Sequence, residues 1–392
     1  MPNKKVYLLQ EIIPSYRVPV FRRLGSLDGV DLTVFYSHPS KVMNRENLKN
    51  AQVIEGFRHV RIGQVEIGAC NYQFGMLWHV LVGRPDVVIA GNPSSLDRLI
   101  LLLLCKLLGI RILWFLGGVP YIDESKIKEY AKRGRLNRWF GKCNPKRMLM
   151  WRADGIVAYS EHAKHFYVAD GFREDDIWVA PNSPDTEALH DFREEWLRRT
   201  VELEAARKRF SPHGERVVFL LGRLNNDRKV DVLLNALSEL YEKGFKPSLV
   251  IVGEGSERVR LTKMAVDLGL TNVFFEGAIY DEKELTKYFM ISDIFVTPGV
   301  SSLAIKMAMF FGKPVVTVDY GLEVHDVQEG INGFIFPMGN VTELAKRIQL
   351  LLQSEELAMR VGANGRATMR DRINIGNMVE GFRKAIFAAN YH

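Results

Sequence analysis

The second half of the chain alternates strand and helix patterns with a regularity that few folds accommodate. Short apolar runs rich in Val, Ile and Phe end at glycines or polar turns, and amphipathic helical patterns follow them. The strands predicted in this way are Val217–Leu221, Leu249–Val252, Val273–Phe275, Ile294–Thr297, Val315–Val318 and Phe334–Phe336. The alternation predicts a parallel, doubly wound α/β sheet with helices on both faces.

The first half shows the same alternation. Its predicted strands are Lys5–Leu9, Leu32–Tyr36, Val87–Ala90, Ile110–Leu116, Ile156–Tyr159 and Ile177–Ala180, with helices predicted at Ser95–Leu108 and Glu161–Ala169. A chain of 392 residues exceeds what one core normally holds, and a charged stretch, 191–210, is predicted to be a helix leading into the second half. We therefore predict two facing Rossmann-like domains, 1–190 and 191–375, with a cleft between them. A last helix, at about 376–392, is expected to pack back on the first domain.

Cysteine usage and the most apolar segment bear on location. Cys70, Cys105 and Cys143 are widely spaced and form no CxxC pair, which favours a reducing cytosol over a disulfide framework. The run Leu99–Leu108 contains a lysine and is too short to span a bilayer, so it is predicted to be a buried helix. The sequence therefore predicts a cytoplasmic protein.

A basic segment, Lys126–Arg152, holds ten basic side chains and one acid, a local charge of +9 against +7 for the whole chain. Trp139, Phe140 and Trp151 lie among the cations. Such a segment is typical of a solvated helix face, a nucleic-acid patch or a contact with anionic lipid. No helix-turn-helix, RNP or zinc-finger pattern accompanies it, so nucleic acid is the weakest of the three and is not predicted as a partner. The solvated face and an anionic membrane surface both remain open; the latter would place the protein at the inner face of the plasma membrane.

The turn after Val217–Leu221 concentrates the features of a phosphate site. Gly222 ends the strand, Arg223 and Lys229 flank a polar turn, and a helical pattern follows. Arg offers a planar fork to phosphate oxygens, Lys offers a mobile point charge, and a helix start offers unpaired N–H groups. These features predict a diphosphate site, and the alternative interpretation is a solvated strand cap.

Six motifs in series carry a resemblance to a known family. They are Gly222-Arg223-Leu224 with Lys229, Ile251-Val252-Gly253-Glu254-Gly255, Phe275-Glu276-Gly277, the run from Ser292 to Pro298, Gly312-Lys313-Pro314 and Glu329-Gly330-Ile331-Asn332-Gly333. In this order and spacing, over about 217–360, the chain resembles the family-4 glycosyltransferases of the GT-B fold. The resemblance implies transfer of a sugar from a nucleotide-sugar donor with retention at the anomeric carbon, usually without a metal ion.

The resemblance also assigns donor-side roles. Arg223 and Lys229 would stabilise the charge that grows on the departing diphosphate. Enzymes of the other common fold give that task to a metal held by Asp-x-Asp, a motif that this chain lacks. The implied donor-binding residues are Gly222, Arg223, Lys229, Gly253, Glu254, Gly255, Gly277, Ser301, Ser302, Leu303 and Glu323. No cofactor or metal is implied, and a UDP- or GDP-sugar is the expected co-substrate.

Two positions depart from the family pattern. The family commonly carries two glutamates eight residues apart, but here the second falls on Met307 and the first is lost in a shortened loop. Those donor contacts cannot be carried over. A His that related enzymes place after a first-domain strand falls on Leu116. His79 is a candidate substitute in catalysis, although a single His on an apolar helix face is commonly structural.

The first domain is predicted to hold the acceptor. A loop, Ile13–Pro19, follows the first strand at the edge of the sheet where open α/β sheets bind ligands. The predicted acceptor-side residues are Tyr16, Arg17, Gly117, Gly118 and Asn182.

The resulting hypothesis is a hexosyl-transferring, nucleotide-sugar-dependent glycosyltransferase. It would act on a glycan or lipid-linked acceptor in surface polysaccharide or lipopolysaccharide synthesis. The alternative is a catalytically inactive glycosyltransferase-like subunit that binds glycan or partners an active enzyme, because the glutamate pair and the His are missing.

Overall fold

A computed structural model describes residues 3–38, 54–67, 70–91, 95–117, 151–300, 303–321 and 323–389. By their internal packing they form two units, Met1–Asn182 with Ile375–His392, and Ser183–Asn374. The chain thus passes into the second unit at Ser183, ahead of the boundary predicted at 190. Most of the basic segment, up to residue 150, lies outside the described residues.

The first unit is built on a seven-stranded parallel sheet in the order β3-β2-β1-β6-β7-β8-β9. Its strands are β1 (Lys4–Leu9), β2 (Val30–Tyr36), β3 (Arg58–Arg61), β6 (Val87–Ala90), β7 (Arg111–Leu116), β8 (Gly155–Ala158) and β9 (Ile177–Val179). A separate antiparallel hairpin joins β4 (Val65–Ile67) and β5 (Cys70–Tyr72). The chain reverses its direction of sheet growth between β1 and β6, which makes that pair the topological switch point of this sheet.

Helices cover both faces of this sheet. They are α1 (Val18–Gly25), α2 (Gly75–Gly83), α3 (Leu96–Leu107), α4 (Glu161–Asp170) and the last helix, α13 (Ile375–Phe387). Alternate residues of β1 enter two different cores: Val6 and Leu8 pack with α1 and α13, whereas Tyr7 and Leu9 pack with α2 and α3. Burial on both faces explains why the strands read as continuous apolar runs.

The second unit is built on a six-stranded parallel sheet in the order β12-β11-β10-β13-β14-β15. The strands are β10 (Val217–Leu221), β11 (Ser248–Val252), β12 (Val273–Gly277), β13 (Ile294–Thr297), β14 (Val315–Val318) and β15 (Gly333–Phe336). The helices are α5 (Thr186–Arg198), α6 (Thr200–Phe210), α7 (Val230–Glu242), α8 (Arg258–Asp267), α9 (Glu282–Ile291), α10 (Ala304–Phe310), α11 (Val341–Gln353) and α12 (Glu355–Asp371). Here the switch point lies between β10 and β13, because β11 and β12 extend the sheet on one side and β13 to β15 on the other.

Two sequence predictions are corrected by the structure. The stretch 191–210 is two helices, α5 and α6, because the backbone leaves the helical region at Arg199 (φ −104°, ψ 49°), whose guanidinium lies over the Trp196 ring at 4.2 Å. The apolar run Leu99–Leu108 is not buried throughout. One face of α3 packs on the sheet, but Leu103 is 54% exposed and Leu107 is 85% exposed.

Strand β3 and the β4–β5 hairpin were not predicted. The sequence of β3, RHVR, carries two arginines at the sheet edge, and the hairpin strands have three residues each. Neither offers the apolar run on which strand prediction depends. Among the described residues, no helix combines the length and the apolar character needed to cross a lipid bilayer.

Candidate functional site

Three loops meet at the switch point of the second sheet. They follow β10, β11 and β13, at the carboxyl ends of neighbouring parallel strands, where open α/β sheets bind ligands. Backbone hydrogen bonds join them: the Gly222 amide donates to the Val252 carbonyl at 3.0 Å, and the Leu224 amide donates to the Glu254 carbonyl at 2.8 Å. The loop after β13 joins the first loop through the Val300 amide, which donates to the Asp227 carbonyl at 3.0 Å.

Glycines make this close packing possible. A Cβ on Gly253 would lie 1.8 Å from the Gly222 carbonyl oxygen, and one on Gly255 would lie 2.3 Å from the Leu224 carbonyl oxygen. A Cβ on Gly299 would lie 2.2 Å from the Asp227 carbonyl oxygen. No side chain fits at these three positions without moving a backbone segment, so the glycines hold the loops together as one surface.

Two arginines share this surface. The Arg228 guanidinium lies beside Gly222, where an added Cβ would be 3.5 Å from Nε, and its Nη1 donates to the Val300 carbonyl at 2.5 Å. Burial, followed by the repulsion of the neighbouring Arg223 charge, lowers the pKa of Arg228. Among the described residues, no carboxylate forms an ion pair with either arginine. The Asp227 charge opposes the pKa shift of Arg228 without forming an ion pair, so the two arginines are candidates to bind an anion.

Lys229 occupies a different position. Its backbone is left-handed (φ 50°, ψ 40°), and it directly precedes α7. Its ammonium donates to the Asn226 side-chain oxygen at 3.4 Å, within its own turn. The sequence had suggested Lys229 and did not single out Arg228, whose guanidinium lies beside Gly222.

The remaining predicted donor residues lie around the same edge of the sheet. The Glu254 carboxylate forms a close ion pair with Arg258, and a Cβ on Gly277 would lie 3.4 Å from that carboxylate. Leu303 precedes α10, and Glu323 begins a short 3-10 turn, Glu323–Asp326. Ser301 and Ser302 fall outside the described residues.

A buried ion pair anchors the turn that contains Glu323. The Lys306 ammonium of α10 lies 2.9 Å from the Asp326 carboxylate, and Lys306 is 1% exposed. The next residue, Met307, stands where the family has its second glutamate, and it packs against the core beneath β13. In place of that carboxylate, the described structure has an apolar contact and a neighbouring internal salt bridge.

Arg17 is the centre of a second polar cluster, in the first unit. It is 3% exposed, its Nη2 donates to the Tyr159 hydroxyl at 2.9 Å, and its guanidinium lies over the rings of Phe115 and Tyr159 at 5.4 and 5.1 Å. A Cβ on Gly117 would lie 2.3 Å from the Tyr159 ring. The backbone N–H of Asn182 donates to the Tyr159 carbonyl at 3.1 Å. Three predicted acceptor-side residues, Arg17, Gly117 and Asn182, therefore meet around Tyr159, which the sequence had not singled out.

The other acceptor-side predictions are placed less centrally. Tyr16 is 37% exposed and stacks on Arg17 at 5.3 Å. Gly118 is outside the described residues. His79 lies on α2 with its ring 4.9 Å from that of Phe35 in β2, a packing contact with the sheet. Leu116, at the position of the family's His, is a buried core residue.

A buried polar network near the switch point of the first sheet was also missed. The Arg98 guanidinium donates to the Asp97 carboxylate at 2.5 Å, to the Gln73 side-chain oxygen at 2.6 Å and to the Gly91 carbonyl at 3.1 Å. Gln73 in turn donates to the Ser37 hydroxyl at 2.8 Å. Burial lowers the pKa of Arg98, and the Asp97 charge opposes that shift. The apolar sequence around Asp97 gives no hint of these partners.

Comparison with known proteins finds a family match within the second unit. Residues 202–368 match the family model described as Glycosyl transferases group 1. This part of the chain is similar to glycosyltransferase group 1 domains. Among curated relatives, the capsular polysaccharide biosynthesis glycosyltransferase CapM of Staphylococcus aureus is 22% identical over 316 residues, which cover 76% of this chain and 81% of CapM. In three other curated relatives the match covers 62%, 68% and 36% of their length, so about a third or more of each is unmatched.

Solved structures share the fold over nearly the whole chain. A glycosyltransferase from Rickettsia africae has a TM-score of 0.72 at 17% identity, and the match covers 98% of both chains. Anabaena HepE, solved in complex with UDP, has a TM-score of 0.66 at 16% identity, with 98% of this chain and 99% of HepE covered. The GT-B fold predicted from the sequence is confirmed, with its two Rossmann-like parallel sheets of seven and six strands.

Proposed function

We propose that this chain is a retaining glycosyltransferase that moves a hexosyl group from a nucleotide-sugar, UDP- or GDP-linked, without a divalent metal. The observation that carries the proposal is the pair of arginines at the β10–β13 switch point, Arg223 and Arg228, with no carboxylate partner among the described residues. The complex of Anabaena HepE with UDP supports a nucleoside diphosphate as the anion. We assign the second phosphate contact to Arg228, whereas the sequence had suggested Lys229.

The proposed chemistry follows from where charge develops. As the glycosidic bond breaks, negative charge grows on the β-phosphate, and fixed cations in a partly desolvated site stabilise it more than water does. The Arg228 guanidinium is held beside Gly222 and on the Val300 carbonyl before any ligand arrives, so little reorganisation of that side chain is needed. This stabilisation replaces the metal that an Asp-x-Asp motif would hold. The departing phosphate itself accepts the proton of the acceptor hydroxyl, so no strong side-chain base is required.

The acceptor is proposed to be a glycan or lipid-linked sugar that meets the cluster around Arg17. That cluster offers a buried guanidinium with aromatic faces, a combination suited to the mixed polar and apolar surface of a sugar. Similarity to CapM supports a place in surface polysaccharide synthesis. The proposed location is the cytoplasm, at the inner face of the plasma membrane.

A second candidate is an inactive glycosyltransferase-like subunit. The observation that favours it is the apolar replacement of two family positions, Met307 and Leu116, which both pack into cores. Such a subunit would keep nucleotide or glycan binding and lack turnover.

The test is release of nucleoside diphosphate from a panel of UDP- and GDP-sugars, with and without EDTA, in parallel with an Arg223→Ala variant. We expect release from one donor, the same rate in EDTA, and at least a tenfold loss in the variant, because a charge-assisted phosphate contact is worth about 1.5–3 kcal/mol. NMR of the product should show the anomeric configuration of the donor. Binding of a donor without release would favour the inactive subunit, and activity that requires added Mg²⁺ or Mn²⁺ after EDTA would contradict the metal-independent mechanism.

A further inference from the structure

Helix α3 has two apolar faces, and only one of them is covered. The inner face, with Leu101, Leu102 and Cys105, packs on the first sheet. The outer face carries an apolar residue at each helical turn: Leu96 is 54% exposed, Ile100 37%, Leu103 54% and Leu107 85%. The spacing of four, three and four residues places these four side chains in one stripe along the outside of the helix.

Helix α2 continues this surface. It packs beside α3 on the same side of the sheet, and its inner residues Met76 and Val80 enter the same core. Its outer side chains are also apolar, with Trp78 66% exposed, Leu81 44% and Val82 63%. The docking face, as we call the outer surface of α2 and α3, is defined by Trp78, Leu81, Val82, Leu96, Ile100, Leu103 and Leu107. A group of large apolar side chains of this size on one face marks an interaction surface.

The helices of the docking face expose no acidic side chain. Helix α2 contains none, and the one acid of α3, Asp97, is 1% exposed. Arg84 follows the last residue of α2 and is exposed, as is Asp86 two residues later, and Lys106, in the last turn of α3, is paired with the Asp154 carboxylate. The docking face is therefore apolar along its length, and neither helix adds an exposed acid to it.

The basic segment ends beside the core that α2 and α3 share. Its last residues, Trp151 and Arg152, are described, and Trp151 packs against the core shared by α2 and α3. Two residues later, the Asp154 carboxylate forms a close ion pair with Lys106 of α3. The basic segment therefore rejoins the described chain at Trp151, three residues before the partner of Lys106.

We propose that the docking face on α2 and α3 seats the protein on an anionic phospholipid bilayer, with the leucines and Trp78 in the headgroup and acyl boundary. An apolar face with a Trp and no exposed acid, in a chain that also carries a basic segment, has the chemistry of an interfacial membrane surface. Cations near an anionic leaflet contribute a salt-sensitive attraction, and the buried apolar area contributes a salt-insensitive one. Two signals of this kind together give stable, reversible attachment.

The test is co-sedimentation of the full chain with vesicles of phosphatidylcholine alone or mixed with phosphatidylglycerol, at low and high salt and without any donor sugar. The variant Leu103→Gln/Leu107→Gln changes only exposed positions of the docking face. The matched control is Val259→Gln/Val266→Gln, on α8 of the second unit, where the two valines are 82% and 73% exposed. A third variant, Arg133→Glu/Arg135→Glu/Arg138→Glu, reduces the charge of the basic segment.

We expect the native chain and the α8 control to sediment with the mixed vesicles. The α3 variant should partition at least tenfold less at both salt concentrations, and the arginine variant should lose the salt-sensitive part only. Equal partition of the α3 variant and the α8 control, or no binding of the native chain at low salt, would overturn the proposal. A native dimer in light scattering that becomes a monomer in the α3 variant would assign the face to a second copy instead. Since no donor is present, none of these outcomes depends on the donor site.

Discussion

At the scale of single residues, the juxtaposition of Arg223 and Arg228 is costly in the absence of an anion. Burial and then the Arg223 charge lower the pKa of Arg228, and the Asp227 charge opposes them. A diphosphate removes both penalties, because its oxygens accept the N–H groups that no described carboxylate accepts.

Lys313, in the Gly-Lys-Pro motif, gives a prediction for pH dependence. Its ammonium donates to the Met290 carbonyl at 3.2 Å, and burial lowers its pKa from 10.5 to about 8. Between pH 8 and 10.5 the unfolded chain binds more protons at this site than the folded chain, so the free energy of unfolding rises with pH over that window. Relative to Lys313→Met, the native chain should gain on the order of 1–3 kcal/mol between those pH values, as measured by urea denaturation. A constant difference between the two proteins across the window would contradict the lowered pKa.

The position of Lys229 could not be predicted from the sequence. Charge and spacing in the sequence suggested Lys229 as the second cation beside Arg223 and did not single out Arg228. The backbone at Lys229 is left-handed, and its ammonium donates to the Asn226 side chain of its own turn, whereas the Arg228 guanidinium lies beside Gly222. This geometry is why we propose Arg228. A single φ value of this kind is set by how the loop packs and is not readable from residue type.

At the scale of elements, the donor surface depends on loops that cross without side chains between them. Gly253→Ala would place a Cβ 1.8 Å from the Gly222 carbonyl oxygen. The added Cβ is fixed to one loop and the carbonyl that it meets is backbone of the other, so one loop must move. We expect a loss of about 2 kcal/mol or more in the free energy of unfolding. Nucleotide affinity should fall at the same time, since Arg223 follows Gly222 directly.

Gly214→Ala is the matched control for this substitution. Gly214 also has a positive φ, 86°, but a Cβ there would meet nothing within 4 Å. Only the backbone strain of about 1 kcal/mol should appear, with unchanged nucleotide affinity. Equal effects of the two substitutions in urea denaturation and in calorimetry would show that crowding at Gly253 is unimportant.

Strands were predicted better than the other elements. The run at Val217–Leu221 matches β10 residue for residue, because a strand buried on both faces needs a continuous apolar sequence. Helix α3 shows the limit of that argument. Its apolar residues predicted burial on all sides, but hydropathy does not distinguish a side covered by protein from a side that awaits a partner.

At the scale of the whole molecule, the two units carry separate parts of the proposed reaction. The arginine pair and its glycine loops lie entirely within Ser183–Asn374, and the cluster around Arg17 lies entirely within the other unit. Binding of the donor diphosphate is therefore separable from transfer. The motif series had already indicated the donor unit, since its residues are close in sequence. The cluster around Tyr159 draws on distant segments, from Arg17 to Met378, which only the folded chain brings together.

The measurement that tests the account most directly is calorimetric titration of UDP and of GDP into the native chain and three single variants. Arg223→Ala and Arg228→Ala should each weaken binding of the preferred nucleotide at least tenfold, because each removes a charge-assisted contact worth about 1.5–3 kcal/mol. Lys229→Ala should change the affinity less than about twofold, in line with the weak end of exposed charge interactions. Unchanged affinity in Arg228→Ala, together with a large loss in Lys229→Ala, would contradict the assignment of the diphosphate to the arginine pair.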